Sequence, residues 1–195
     1  VRYDGFARVM VSSIHGQEAG KAVGFASLSS LGHTQALPMA QVIQKPETLL
    51  GGAASAWVYA PFSWMGTVAQ ADLRPSWVSQ NYLLPGGQIR ATARLRLKKI
   101  GAAASQEQQA LYRLINQAQR EPVHCLMLQA DRYAGDEARQ IHLLLTHWDG
   151  WGRTLQSKQK TEPGPAHGVA ADGTLIVENQ RIKQVSADPR WRVSE

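Results

Sequence analysis

Hydrophobic and polar residues alternate most regularly in residues 88–99, QIRATARLRLKK. A period of two is typical of a strand with one buried face, so we predict a strand there. Upstream, residues 2–14 alternate in part, and residues 21–31 form a second strand candidate after a turn, which predicts an N-terminal hairpin. Residues 32–56 contain prolines and glycines without a steady period and predict a long connection.

Residues 57–84 are rich in aromatic side chains and are divided by Pro61, Gly66 and Pro75 into short strand candidates. One interpretation is that the rings fill the core of a small β layer. The other is that several rings are exposed on one face and bind bases, sugars or a protein partner. For the second interpretation, region 57–82 supplies the rings: Trp57, Tyr59, Phe62, Trp64, Trp77 and Tyr82.

A helix is predicted from Ser105 to about Arg120. Ser105 followed by Gln108 is the spacing of a capping box, and Pro122 ends the helix. Apolar residues recur at the i, i+3, i+4, i+7 spacing that places them on one helical face, which we expect to lie on a sheet. They are Leu111, Leu114, Ile115 and Ala118.

Two strands, 123–131 and 139–148, follow the helix and predict a hairpin around Gly135-Asp136 as a two-residue type II′ turn. This register places the apolar residues of both strands on one face, which we take as the core face. The opposed pairs are His124 with His147, Leu126 with Leu145, Leu128 with Leu143, and Ala130 with Ile141.

The predicted fold class is α+β, mainly antiparallel β with one clear helix. The order β–α–β–β is that of half a ferredoxin-like fold, and it follows an aromatic-rich N-terminal β region. We read 1–195 as a single domain, with 1–84 as a β-rich subregion and 85–195 as a βαββ subregion. Residues 150–172 predict a mobile loop and residues 174–178 a later strand, and we see no internal repeat.

The net charge of +6 comes almost entirely from the second half, since residues 1–87 carry five Lys or Arg against four Asp or Glu. A basic balance favours anionic partners, namely nucleic acid, anionic lipid or an acidic protein. No apolar run is long enough to predict a membrane span. The single Cys125 and the first residue Val1 leave the compartment open between the cytoplasm and export.

In a strand over 88–99, four cations point to one side at about 7 Å spacing, near that of phosphates along a nucleic acid strand. The alternative is a solvated sheet face whose charges are answered by acids on neighbouring strands. The predicted nucleic-acid site adds cations from a loop and from the C-terminal tail. Its residues are Arg90, Arg94, Arg96, Lys98, Arg153, Lys158, Lys160, Arg190, Trp191 and Arg192.

His124 and His147 are weak candidates for a metal site, because two cross-strand histidines can share a metal but a zinc site needs further ligands. Phosphate-binding, nucleophile-elbow and HExxH motifs are absent, so we predict no catalytic residue and no cofactor. The leading hypothesis is a non-catalytic nucleic-acid-associated protein. The alternatives are an assembly subunit of a multiprotein complex, such as a secretion, envelope or phage apparatus, and an enzyme built around the two histidines.

Overall fold

The computed structural model of the chain describes residues 1–28, 39–170 and 174–194. The helices are α1 (Met39–Gln44), α2 (Glu47–Leu50), α3 (Pro75–Ser79), α4 (Ala93–Ile100) and α5 (Gln106–Gln117). The strands are β1 (Arg2–Tyr3), β2 (Val9–Ser12), β3 (His15–Glu18), β4 (Lys21–Gly24), β5 (Ser55–Ala60), β6 (Val123–Ala130), β7 (Ile141–Trp148), β8 (Thr154–Thr161), β9 (Gly164–His167), β10 (Val177–Glu178), β11 (Arg181–Ile182), β12 (Gln184–Ala187) and β13 (Arg190–Ser194).

The chain divides into two compact units, each with its own core. The first unit comprises Val1–Tyr59, Cys125–Thr146 and Thr154–Glu195, and the second comprises Ala60–His124 and His147–Arg153. The main sheet has seven strands in the order β1-β2-β5-β6-β7-β8-β13. Because Val42 of α1 and Leu50 of α2 are buried in one cluster with the strand residues Leu126, Leu128 and Leu143, the two helices cover one face of this sheet.

The predicted core face of the β6–β7 hairpin is confirmed, but its turn is wrong. Leu126, Leu128 and Leu143 are buried, and Asp131 N–H donates to the Gln140 carbonyl at 3.1 Å, in the predicted register. The connection is a loop between Ala130 and Ile141 rather than a two-residue turn. Two aspartate side chains close this loop by accepting hydrogen bonds from backbone N–H groups. Asp131 Oδ1 accepts from Gln140 N at 2.7 Å, and Asp136 Oδ1 accepts from Ala138 N at 2.8 Å.

In the region 150–172, which the sequence predicts as a mobile loop, β8 and β9 form one strand of a long two-stranded ribbon, and residues 171 and 172 lie outside the described residues. Strands β8 and β9 run along β13 and β12 in one constant register, from Ser157 opposite Ser194 to His167 opposite Gln184. The ladder is interrupted between the two strand pairs, where Pro163 and Pro189 have no N–H to donate, whereas Pro165 stays within the ladder opposite Ser186. The predicted strand 174–178 is reduced to the two residues of β10.

The second unit is helical around a core that includes Trp77, Tyr82, Leu83, Leu111 and Ile115. In this unit the predicted strand 88–99 is wrong, because Ala93–Ile100 is helix α4. Ala93, Leu97 and Ile100 share a helical face, whereas only Ala93 and Leu97 of these three fit the alternating pattern. Leu97 is buried, while Leu95 is 63% exposed. Ala, Leu, Arg and Lys are strong helix formers, and Ala93–Lys99 contains no β-branched residue.

Helix α5 forms as predicted. Ser105 Oγ accepts from Gln108 N at 3.2 Å, and Ser105 N donates to Gln108 Oε1 at 3.0 Å, which completes the capping box. Leu111 and Ile115 are fully buried. The face packs into the helical core of the second unit, so the expected packing onto a sheet is wrong.

The predicted fold class is therefore wrong in its central motif. The described chain is mainly antiparallel β, built on one seven-stranded sheet with several short helices. No βαββ unit forms at 88–148, since its first predicted strand is α4, and the ferredoxin-like comparison fails with it. The aromatic-rich residues 57–84 hold the end of one strand, β5, and otherwise short helices and turns. Residues 29–31 of the second strand candidate and 32–38 of the predicted connection lie outside the described residues.

Candidate functional site

The basic row that motivates the nucleic-acid hypothesis does not lie along a strand. Arg94 and Lys98 are one helical turn apart on α4, and Arg90 precedes the helix. Arg96 points elsewhere, with its guanidinium 4.5 Å from the centre of the Tyr82 ring. It also donates to the carbonyls of Gln80 and Asn81, at 3.1 Å each, so it holds the chain that follows α3.

The other predicted cations are dispersed, and three of them bind within the protein. Arg153 pairs with Asp149 at 2.7 Å. Lys160 Nζ donates to the Ile43 carbonyl at 3.1 Å, near the C-terminal end of α1, where a positive charge is favourable. Arg190 Nε donates to Thr161 Oγ1 at 3.0 Å.

Three predicted residues remain in the ribbon. The Trp191 ring is half-buried and packs against the core of the first unit. Within the described residues, the side chains of Lys158 and Arg192 make no hydrogen bond or ion pair. The predicted site is therefore distributed over both units and is not one line of charge.

The two histidines of the metal hypothesis are neighbours. Their ring centroids are 5.1 Å apart, and His124 is buried. The Nδ1 of His124 lies 2.9 Å from the Pro122 carbonyl, which can only accept, so Nδ1 carries a proton there. No group of three potential metal ligands occurs among the residues that the structure describes.

The single cysteine is unsuited to nucleophilic chemistry. Cys125 is buried on β6, and this burial raises the pKa of its thiol to about 12. Because the thiolate is the reactive form, the thiol stays protonated and inert near neutral pH. Tyr59 also has a pKa raised by burial, and its hydroxyl donates to the Val9 carbonyl at 2.9 Å.

A pair of matching turns was missed by the sequence prediction. Tyr3–Arg8 reads YDGFAR and Trp148–Arg153 reads WDGWGR, so both follow the pattern aromatic-Asp-Gly-aromatic-small-Arg. The first joins β1 to β2 and the second joins β7 to β8, and in each case the strands are neighbours in the sheet. Searching the sequence for this hexapeptide finds both copies, which corrects the expectation that the chain has no internal repeat.

The two turns share one hydrogen-bond pattern. In the second turn, Asp149 Oδ1 accepts from Trp151 N at 2.8 Å and from Arg153 N at 2.9 Å, and Oδ2 accepts from Arg153 Nε at 2.7 Å. In the first turn, Asp4 makes the same three bonds to Phe6 and Arg8, at 2.8, 3.0 and 2.7 Å.

The residue before each arginine adopts a left-handed conformation, with φ of 59° at Ala7 and 80° at Gly152. The aspartate therefore fixes each turn by hydrogen bonds within the hexapeptide, and the aromatic ring at its fourth position projects outward. Trp151 is 87% exposed and Phe6 is 74% exposed.

These turns predict a pH-dependent contribution to stability. Backbone N–H donation from Arg153 is the main reason that the pKa of Asp149 lies below its usual value near 4, with further lowering by the Arg153 side chain and Trp151 N–H. When the pKa of a carboxyl group is lower in the folded chain than in the unfolded chain, its ionised form stabilises the fold. This stabilisation is complete above the unfolded pKa and is lost as the pH falls through the folded pKa. We expect a carbon-detected NMR titration to place the Asp149 midpoint below that of an unfolded peptide.

The matched variant is Asp149→Asn, which keeps the shape of the side chain but has no proton to lose. Its unfolding midpoint should vary less with pH below 5 than that of the parent chain. An Asp149 midpoint at or above the peptide value would show that the turn does not hold its carboxylate as described.

No protein-family model matches this chain, and no curated protein is similar enough to be counted as a relative. Solved structures do match over its whole length. A chain in the crystal structure of TcdB2-TccC3-Cdc42 is 27% identical with a TM-score of 0.78, and the match covers 100% of this chain and 9% of that one. A second match is a chain in a structure of the Photorhabdus luminescens Tc holotoxin pore that carries a TccC3 mutation. It is 26% identical with a TM-score of 0.74, and the match covers 100% of this chain and 9% of that one.

The crystal structure of TcdB2-TccC3 also matches, at 24% identity and a TM-score of 0.61, and this likeness concerns the fold alone. This chain spans less than a tenth of the length of each matched chain. Two of these structures are of TcdB2-TccC3, one of them together with Cdc42, and the other is of a Tc holotoxin pore. None of the helices in the described ranges is both long and apolar enough to cross a membrane.

Proposed function

We propose that this chain is a non-catalytic assembly module of a multiprotein toxin complex. It would serve as one section of a larger β structure, to which its seven-stranded sheet is joined. The observation that carries the proposal is the match over the full length of this chain to a section that makes up 9% of a chain in the TcdB2-TccC3-Cdc42 structure. A section matched from end to end inside a much longer chain is a building element of that chain.

The edges of the sheet supply the means of joining. In the described residues β1 and β13 are the outer strands of the seven, so each has one side without a paired strand in that sheet. Outer strands present unpaired backbone N–H and C=O groups, which favour pairing with another strand. A section inside a larger β structure would satisfy these groups by continuing the sheet.

The chemistry of the chain also favours an assembly role. The cations that suggested a nucleic-acid surface are dispersed, and several of them bind inside the protein. The thiol of Cys125 is buried and protonated. Of the region 57–82 predicted to contact partners, Phe62 and Trp64 are substantially exposed, whereas Trp77 and Tyr82 are buried in the core of the second unit.

A chimera tests the proposal. The matching section of the large chain in TcdB2-TccC3 is replaced with the full 195-residue sequence of this chain. Assembly is then measured by size-exclusion chromatography and native mass spectrometry. We expect the chimera to form a complex of the parental mass, because the matched section has a similar fold over the full length of this chain, with a TM-score of 0.78 in the TcdB2-TccC3-Cdc42 structure.

Two controls define the result. Deleting the section should abolish the complex, and a chimera carrying Leu126→Asp should also fail, because a charge enters the fully buried core. If the unmodified chimera folds but never assembles, the proposed function is wrong. If the deletion assembles normally, the section is not a building element of the complex.

A further inference from the structure

The outer ribbon of the sheet carries an unbalanced positive charge. We define the edge ribbon as β8 (Thr154–Thr161) with β13 (Arg190–Ser194), which pair antiparallel from Arg190 opposite Thr161 to Ser194 opposite Ser157. Its strands contain the cations Lys158, Lys160, Arg190 and Arg192 and no aspartate or glutamate. Nearby acids follow β8 at Glu162 and precede β13 at Asp188.

Contacts inside the protein leave these charges without a counter-charge. Lys160 donates to the Ile43 carbonyl, and Arg190 donates to the Thr161 hydroxyl and, at 3.5 Å, to the Pro165 carbonyl, and all three acceptors are neutral. No ion pair in the described part of the chain includes a cation of the edge ribbon. Lys158 and Lys160 oppose Val193 and Trp191, so the lysines lie on one face of the ribbon and the arginines on the other. Each face therefore carries two like charges about 7 Å apart, for which an anionic neighbour would be favourable.

The two arginines of β13 lie on one face of the edge ribbon, on its outer strand. Residues two apart on a strand point to the same side, so Arg190 and Arg192 project together at about 7 Å spacing. Their opposed residues on β8 are Thr161 and Gln159, which are neutral. A strand paired to the free side of β13 would place its alternate side chains beside these two arginines.

We propose that the free edge of β13 binds an extended acidic segment of a protein partner by strand addition. Backbone hydrogen bonds along the edge would supply affinity, and alternate carboxylates facing Arg190 and Arg192 would supply selectivity. The inference rests on the proposed function, because it names the chemistry of the partner that the assembly module joins.

The charge argues against a second copy of this chain as the occupant. Pairing two β13 edges would bring Arg190 and Arg192 of one copy against the same residues of the other, and like charges on opposed strands are destabilising. Charged side chains on an edge strand guard against self-association in this way. An acidic strand would pair with the same backbone groups of β13 without that repulsion.

The test is fluorescence anisotropy of labelled peptides with the full chain. The probe is a short peptide that alternates Glu and Val, so that its carboxylates lie on one side when it is extended. We expect Arg192→Glu to weaken binding of this peptide about tenfold or more, because attraction becomes repulsion at the edge. The matched control is Arg181→Glu on β11, which changes the net charge equally at an exposed residue outside the edge ribbon.

Three comparison probes make the result specific. A peptide alternating Lys and Val should not bind, and a Glu-Val peptide N-methylated on alternate residues should lose binding, because it cannot donate along the edge. A single-stranded oligonucleotide of equal charge should bind more weakly than the acidic peptide. The inference is overturned by absent peptide binding, by equal weakening in both Glu variants, by equal binding of the N-methylated peptide, or by stronger oligonucleotide binding.

This test uses the isolated chain, so its outcome is separate from that of the chimera. A chimera that assembles while the acidic peptide fails would retain the assembly role and reject the acidic partner. A peptide that binds while the chimera fails would retain an edge selective for acidic strands and reject the toxin-complex module.

Discussion

Replacing Trp77 with alanine is expected to cost about 3–5 kcal/mol of the free energy of unfolding, measured by urea denaturation. Trp77 is 2% exposed and lies in the same buried cluster as Leu83, Leu111 and Ile115. Its removal would leave a cavity bordered by α3 and α5, which short helices cannot easily close. Amide exchange in α4 and α5 should accelerate in the same variant, because the second unit depends on this core.

The matched variant is Trp77→Phe, which keeps an aromatic ring and removes the indole N–H. In the described structure Nε1 is buried and has no hydrogen-bond partner, so its loss should not break a bond. We expect a cost of about 1–2 kcal/mol for the reduced volume. Equal and small effects of both variants would contradict the placement of Trp77 at the centre of the second core.

The second large effect is expected at Leu143, where alanine should cost about 2–5 kcal/mol of the free energy of unfolding. Leu143 on β7 is 2% exposed and packs with Leu126 and Leu128, whereas the next residue, Leu144, is 40% exposed. Adjacent residues on a strand point to opposite faces, so the two leucines test the register directly.

Leu144→Ala is the control, with the same chemistry on the same strand, and we expect it to cost less than about 1 kcal/mol. Chemical denaturation of both variants gives the comparison. A cost at Leu144 equal to or larger than that at Leu143 would show that β7 presents its other face to the core.

Local signals in the sequence were sufficient for some elements. The start of α5 follows from Ser105 and Gln108 alone, because a capping box is satisfied within four consecutive residues. The core face of β6 and β7 follows from the alternation between His124 and His147, because only one register places Leu126, Leu128, Leu143 and Leu145 on the same face. The turn between these strands did not follow, since Asp131 and Asp136 close a longer loop with their side chains.

The segment 88–99 shows why an alternating pattern can mislead. Alternating small and large apolar residues fit a strand, while Ala93, Leu97 and Ile100 also fit a helix, and tertiary packing selects between them. The second unit offers a helical core formed by Trp77, Leu111 and Ile115, so α4 buries Leu97 and leaves Leu95 exposed. The charges of this segment are consequently spread around a helix.

The pairing of strands that are far apart in the sequence is the other feature that local sequence patterns do not predict. Strands β8 and β13 are separated by about thirty residues that include the rest of the ribbon, so no turn signal next to β8 indicates its partner. The edge ribbon and its charge therefore emerged only from the structure. The two Asp-Arg turns were visible in the sequence, because YDGFAR and WDGWGR align at Asp, Gly and Arg.

Hydrogen–deuterium exchange of β13 is the measurement that tests the assembly role most directly. It compares the isolated chain with the same section in the chimera with TcdB2-TccC3. If the sheet continues into a larger β structure, amides on the free side of β13 should exchange much more slowly in the complex, while amides of the internal strands β6 and β7 change little. Equally fast exchange at β13 in a correctly assembled complex would contradict the claim that this sheet is joined to its neighbours through that edge.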